Sequence, residues 1–87
     1  MAVKEITYKE AEKIIKNILK KYNVKPMTIK IGESEYPDEK GEYHIFIRAK
    51  NKMSFKEGHE LEKIIEKDIK EELGENFLVT FVPELTD

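Results

Sequence analysis

The residues in this 87-residue chain best suited to hold a metal ion or move a proton are its two histidines, His44 and His59. His59 sits in the stretch Ser54-Phe55-Lys56-Glu57-Gly58-His59-Glu60. Ser54 and Glu57 have the spacing of a capping box, so a helix is expected to start there. Counted round that helix, His59 lies about 120° from the stripe of Leu61, Ile65 and Ile69. It is a flank residue beside Phe55 and Glu62. Read alone it is a surface histidine; next to a partner it is a candidate ligand. Gly58 lies close to the stripe, where glycine costs about 1 kcal/mol relative to alanine. The expected reason is close approach of the helix to a sheet.

Other chemistry is thinly represented. With no cysteine, neither disulfides nor thiolate metal sites are open to the chain. Glu33, Glu35, Asp38, Glu39 and Glu42 cluster between Gly32 and Gly41 or just beyond. They lack the fixed spacing of a calcium loop, so a solvated charge run is the better reading. No Ser/His/Asp pattern and no glycine-rich phosphate loop is present. An acylphosphatase-like hydrolase would need an anion-cradling loop with Arg and a paired Asn, and Gly32 to Gly41 offers neither. The expectation is a protein that is not an enzyme.

The elements that must position these residues are legible from periodicity. Thr7 and Glu10 have capping-box spacing. Ala11, Ile14, Ile15, Ile18, Leu19 and Tyr22 then recur as one helical stripe, which ends at Asn23 before Pro26. Met27 to Ile31 alternates as a half-buried strand. Tyr43, Ile45, Ile47 and Ala49 alternate with His44, Phe46 and Arg48 as a second strand, predicted to pair antiparallel with the first. Leu61, Ile64, Ile65, Ile69 and Leu73 form the stripe of a second helix, with Gly74 at a left-handed cap position. Phe77 to Val82 is a third strand, ended by Pro83. A right-handed crossover makes strand three parallel to strand two. The expected fold is α+β: a ferredoxin-like αββαβ two-layer sandwich with a three-stranded mixed sheet and two helices on one face. Residues 1–87 form a single domain, which buries about 60–65% of its unfolded surface.

With helices on one face only, apolar side chains of strand three stay uncovered on the other. A small domain rarely leaves such a patch in water, and a homodimer is the expected remedy. Charged residues make up 39% of the chain, sixteen basic against eighteen acidic, with formal net charge −2. That balance argues against a general nucleic-acid binder. An RNA-binding ferredoxin-like module, with Phe46 and Phe81 as stacking aromatics, is the further alternative. The Lys- and Glu-rich composition fits a thermophile. No apolar run reaches membrane-span length, so no direct membrane insertion is expected and the chain reads as cytoplasmic.

From Val24 onward the chain resembles the cytoplasmic C-terminal domain of cation diffusion facilitator (cation efflux) metal transporters. The resemblance is carried by "MSFKEGHELEKIIEKDIKEELGENFLVTFVPE", in which Ser54, His59, the Ile- and Glu-rich helix and Val79-Thr80-Phe81-Val82-Pro83-Glu84 match the family pattern. Helix one, "YKEAEKIIKNILKKYNVK", is similar to the helix before the family's first strand. The resemblance implies this same topology, a homodimer, zinc or a related divalent ion at the dimer interface, and regulation of a membrane transporter domain from the cytoplasmic side. Carried over position by position, most ligands are replaced. Lys25, Phe46 and Phe81 or Val82 stand at family histidine positions, and Pro83 or Glu84 at the acidic one. His59 remains in register, and His44 is a partial substitute for the position now held by Phe46. The resemblance therefore implies a dimer interface of Phe46, Arg48, Phe81 and Val82 that requires no cofactor. The alternative is a zinc-binding dimer that senses the ion through His59 and His44.

Overall fold

The computed structural model describes residues 7–33 and 42–86. The elements run α1 (Tyr8–Lys21), β1 (Pro26–Glu33), β2 (Tyr43–Met53), α2 (Phe55–Leu73) and β3 (Phe77–Leu85). The acidic turn between β1 and β2, apart from Glu33 and Glu42, lies outside the described residues. Among the described residues no helix is long and apolar enough to cross a membrane.

Each end of α1 is set by local chemistry. The Thr7 hydroxyl accepts the Glu10 backbone N–H at 3.2 Å, and Glu10 returns its carboxylate to the same hydroxyl. At the other end Asn23 adopts φ 58°. Its N–H reaches the Lys20 carbonyl, and the Val24 N–H reaches the Leu19 carbonyl at 2.9 Å. This double bond to the last carbonyls is a Schellman closure, and its usual apolar contact is supplied by Leu19 and Val24, both buried. Asn tolerates the left-handed conformation better than most residues, which is why the helix can stop there without glycine. Asn51 on β2 then fastens the turn, accepting the Lys25 N–H at 2.7 Å and donating to the Asn23 carbonyl at 2.9 Å.

The sheet order is β1-β2-β3, with β2 in the centre. β1 pairs antiparallel with β2, Ile29 opposite Ile47 and Lys30 opposite Phe46. β3 pairs parallel with β2, Ile45 beside Val79 and Ile47 beside Phe81. This is the α+β ferredoxin-like αββαβ sandwich. The core is one cluster of Ile15, Leu19, Ile45, Ile47, Ile65 and Ile69, joined by Ile18, Val24, Ala49, Val79 and Phe81. Truncating any one of the first six, all fully buried, to alanine is expected to cost about 2–5 kcal/mol.

Two element ends differ from the sequence reading. Gly74 follows α2 with φ 122° and ψ 163°, not with left-handed helical angles. That region is open almost only to glycine, so the residue is still needed, but to turn the chain sharply towards β3 rather than to coil it once more. β3 also runs past Pro83 to Leu85. Proline lacks an N–H, which excludes it from central strands but not from an edge. β3 is an edge strand, and the missing donor falls on its outer side.

Candidate functional site

The strand register divides the expected interface residues between two faces. His44, Phe46 and Arg48 alternate with buried Ile45, Ile47 and Ala49, so they stand on the face away from the helices. Leu78, Thr80 and Val82 lie beside them on β3. Phe81 has the opposite parity and is only 5% exposed, packed in the core. It therefore contributes no surface to the open face. Of the two strand-three candidates, Val82 is the one outside. His44 is tied to its neighbour strand, its Nε2 standing 2.6 Å from Thr80 Oγ1.

His59 belongs to a different place. The capping box forms as its sequence predicts: the Ser54 hydroxyl accepts the Glu57 N–H, and the Glu57 carboxylate accepts the Ser54 N–H, both at 3.2 Å. The Ser54 N–H, and after it the Ser54 hydroxyl donating at 3.0 Å, favour the ionised carboxylate and hold the Glu57 carboxyl below its usual range. The cap aims the first turn of α2 along the edge of β3. The His59 ring stacks on Phe55 with planes 2° apart and centroids 6.3 Å apart. Its Nδ1 stands 4.0 Å from Glu62. Together with Gly58, Val82 and Pro83, these residues line a shallow groove of about 290 Å³. Its rim is apolar and open: Phe55 is 74% exposed, Leu85 54% and Val82 38%.

The floor of this groove explains Gly58. A Cβ placed on Gly58 would stand 3.0 Å from the Pro83 ring. Four residues on, Glu62 accepts the backbone N–H of Phe81 at 2.8 Å. Four further, Glu66 accepts that of Val79 at 2.9 Å. Four helical residues rise about 6 Å and two strand residues about 6.6 Å, so the helix period matches the outward period of the strand. Gly58, Glu62 and Glu66 thus meet Pro83, Phe81 and Val79 in turn. The free edge of β3 is closed by two carboxylates and a proline.

A second device joins the helices. The Tyr22 hydroxyl donates to the Asp68 carboxylate, and Lys21 adds a bond to the same oxygen at 3.3 Å. The Lys21 ammonium lies 5.2 Å from the Tyr22 ring centroid. The Tyr22 bond, with help from Lys21, lowers the Asp68 pKa against the opposing effect of burial. The pKa values of Tyr22 and Lys21 rise, each chiefly through its hydrogen bond to Asp68.

Zinc needs three or four N, S or O donors. Within one subunit the groove supplies His59 and Glu62, and one Glu62 oxygen is already engaged by Phe81. His44 sits beside Leu78 while His59 sits by Val82 and Pro83, about 13–17 Å further along β3. Within one subunit this fold therefore does not bring His44 and His59 to one ion. Lys25, which the resemblance would place at a ligand position, is exposed just before β1, its N–H bonded to Asn51. Among the described residues no three His, Asp or Glu side chains converge. The chain matches no family model, no curated protein and no solved structure.

Sequence reading missed the exposed Phe55 and Leu85 and the strand-capping role of Glu62 and Glu66. The second had a signal. Gly58, Glu62 and Glu66 repeat at i, i+4, i+8 on the flank of an amphipathic helix that must return over a proline-bearing strand.

Proposed function

We propose that the chain is a non-enzymatic homodimerising module, similar to the cytosolic domain of cation efflux transporters, that brings two copies together on the cytoplasmic side of a membrane without requiring an ion. The observation that carries this reading is the apolar rim of the α2–β3 groove. Phe55, Val82 and Leu85 are each exposed, and they converge round one end of the sheet. Burying such side chains against a second copy stabilises by about 1.5–3 kcal/mol each. Of the side chains expected at the interface, Val82 is central and Arg48, directly beside it on β2, lies at the rim. Phe46 is the next residue along β2 on the same face, further from the groove, and Phe81 supports the rim from within.

Sedimentation velocity in the presence of chelator tests the proposal. A dimer is expected, and a monomer at high protein concentration would sink it. The zinc-sensing alternative draws on the His59 Nδ1 standing 4.0 Å from Glu62: a two-fold axis placed through the groove would bring two such pairs together and reach four donors. Calorimetric titration separates the readings. Zinc binding tighter than about 10 μM, abolished by His59→Ala, together with a dimer that forms only with metal, would replace the ion-independent reading.

A further inference from the structure

The overall balance of −2 conceals a division of charge between the faces of the sheet. On the open face stand Lys30 on β1 and Arg48, Lys50 and Lys52 on β2, all exposed. Glu84, beside Lys52 on β3, is the one carboxylate that shares this face along the paired strands. Phe46 stands on the central strand, β2, and is half-buried. Lys30 is its direct cross-strand partner, and Arg48 is the next residue on the same face. Thr80 lies on its other side, with His44 bonded to it.

A second copy is a poor occupant for this face. A two-fold stacking of sheet on sheet would set Lys30, Arg48, Lys50 and Lys52 against the same four cations. An aromatic side chain on a sheet, bracketed by cations and hydroxyls, suits a ligand with flat rings and a regularly charged backbone. We propose that the open sheet face binds single-stranded nucleic acid. Phe46 stacks on a base, while Lys30 and Arg48 neutralise the phosphates on either side. Lys50 and Lys52 extend the track along β2. An acidic protein segment would satisfy the cations but would leave Phe46 without a planar partner. The surface adjoins the α2–β3 groove at Arg48, which stands beside Val82, but Phe46 and Lys30 lie clear of the groove lining, so substitutions at those two positions separate the two functions.

The test is fluorescence anisotropy of a labelled oligouridylate with the full chain at low salt. Binding is expected to fall as salt rises, with a log–log slope of about −2 to −3 for three or four phosphates. Phe46→Ala should weaken it about tenfold or more through the lost stack. Lys30→Glu should weaken it further and flatten the salt slope. Phe46→Leu keeps the apolar packing and removes the ring, so it must also weaken binding if Phe46→Ala fails to fold. No binding at low salt overturns the proposal. So does binding indifferent to Phe46→Leu and Lys30→Glu. Polyglutamate displacing the label as readily as unlabelled oligouridylate would assign the face to acidic protein segments instead. Sedimentation of Lys30→Glu in parallel reads the dimer separately, which this substitution should leave intact.

Discussion

The Glu62 carboxylate accepts the backbone N–H of Phe81 at 2.8 Å, so a helix side chain completes the hydrogen bonding of an edge strand. Sheet edges present unpaired donors that recruit other strands, and folded proteins blunt them with charge, proline or cover. Here all three act along one line, two from α2 and one from β3 itself. Glu62 and Glu66 supply the charge, Pro83 the missing donor, and the helix itself the cover. On their outer side the same carboxylates meet the His59 imidazole, 4.0 Å from Glu62, and the Lys70 ammonium, 4.0 Å from Glu66. The corner that carries the candidate dimer surface is therefore built on a strand that cannot extend by pairing. Contact there must come from side chains.

Removing a cap should cost stability in a way that distinguishes the hydrogen bond from packing. Glu62→Ala leaves the Phe81 N–H without its partner and is expected to destabilise by about 1–3 kcal/mol. Glu62→Gln keeps an acceptor oxygen and should cost clearly less. Urea midpoints at constant m-value measure both. Equal losses from the two variants would show that the bond to Phe81 is not the source. The double variant Glu62→Ala, Glu66→Ala should also aggregate on storage, as an opened edge would.

The core and topology were legible because two periods dominate the sequence. Ile15, Leu19, Ile65 and Ile69 recur at helical spacing, while Ile45, Ile47 and Ala49 recur at strand spacing, and all are buried. Strand three was harder. Phe77 to Val82 is apolar at both parities, so the pattern alone could not choose between Phe81 and Val82 for the open face. The pairing of Phe81 with Ile47 decides it. The Tyr22–Asp68 link was not legible, since the two residues are 46 positions apart, Tyr22 reads as the end of the buried stripe and Asp68 as part of a solvated helix flank. The charge of the open face was hidden for a related reason. Arg48, Lys50 and Lys52 lie two apart but run past Ala49, where the apolar alternation of the second strand stops, and only the β1–β2 register adds Lys30 to them.

Gly58 and Pro83 should behave as a coupled pair. Alanine at an open helical position stabilises by about 1 kcal/mol over glycine. At position 58 the added methyl meets the Pro83 ring at 3.0 Å. Gly58→Ala alone is therefore expected to be neutral or destabilising. In a Pro83→Ala background the same substitution should recover most of the helix gain. A thermodynamic double-mutant cycle reads the coupling directly. Strict additivity would mean that the glycine is there for some reason other than the proline.

The Tyr22–Asp68–Lys21 cluster gives stability a pH signature. The folded pKa of Asp68 lies below its unfolded value. Its contribution is thus present above the unfolded value and is lost as pH falls through the folded one, below the ordinary carboxylate range. For Tyr22 and Lys21 the folded pKa lies above the unfolded value. Their contributions are present below the unfolded values and are lost as pH rises beyond the ordinary tyrosine and lysine ranges. Tyr22→Phe should therefore destabilise at neutral pH, and the difference from wild type should narrow at both extremes. Urea unfolding across the pH range gives the profile. A difference that stays constant from acid to alkali would leave the hydroxyl no part in the linkage.

The groove rim makes the strongest demand on solution behaviour. Phe55 and Leu85 touch water in the single chain, so replacing them with serine should leave the melting temperature of dilute protein nearly unchanged. In a two-fold dimer each substitution is counted twice. At about 1.5 kcal/mol or more for each buried side chain, Phe55→Ser alone is expected to raise the dimer dissociation constant about 100-fold. Sedimentation equilibrium with chelator present measures this, and His59→Ala serves as the control for ion dependence. In the ion-independent dimer His59→Ala costs little more than its share of the stack on Phe55. If His59→Ala dissociates the dimer as completely as Phe55→Ser, and added zinc restores only the wild type, the apolar rim is secondary and the histidine holds the two copies together. If neither substitution changes the mass, the two copies meet elsewhere, and the exposed β1 edge becomes the surface to substitute next.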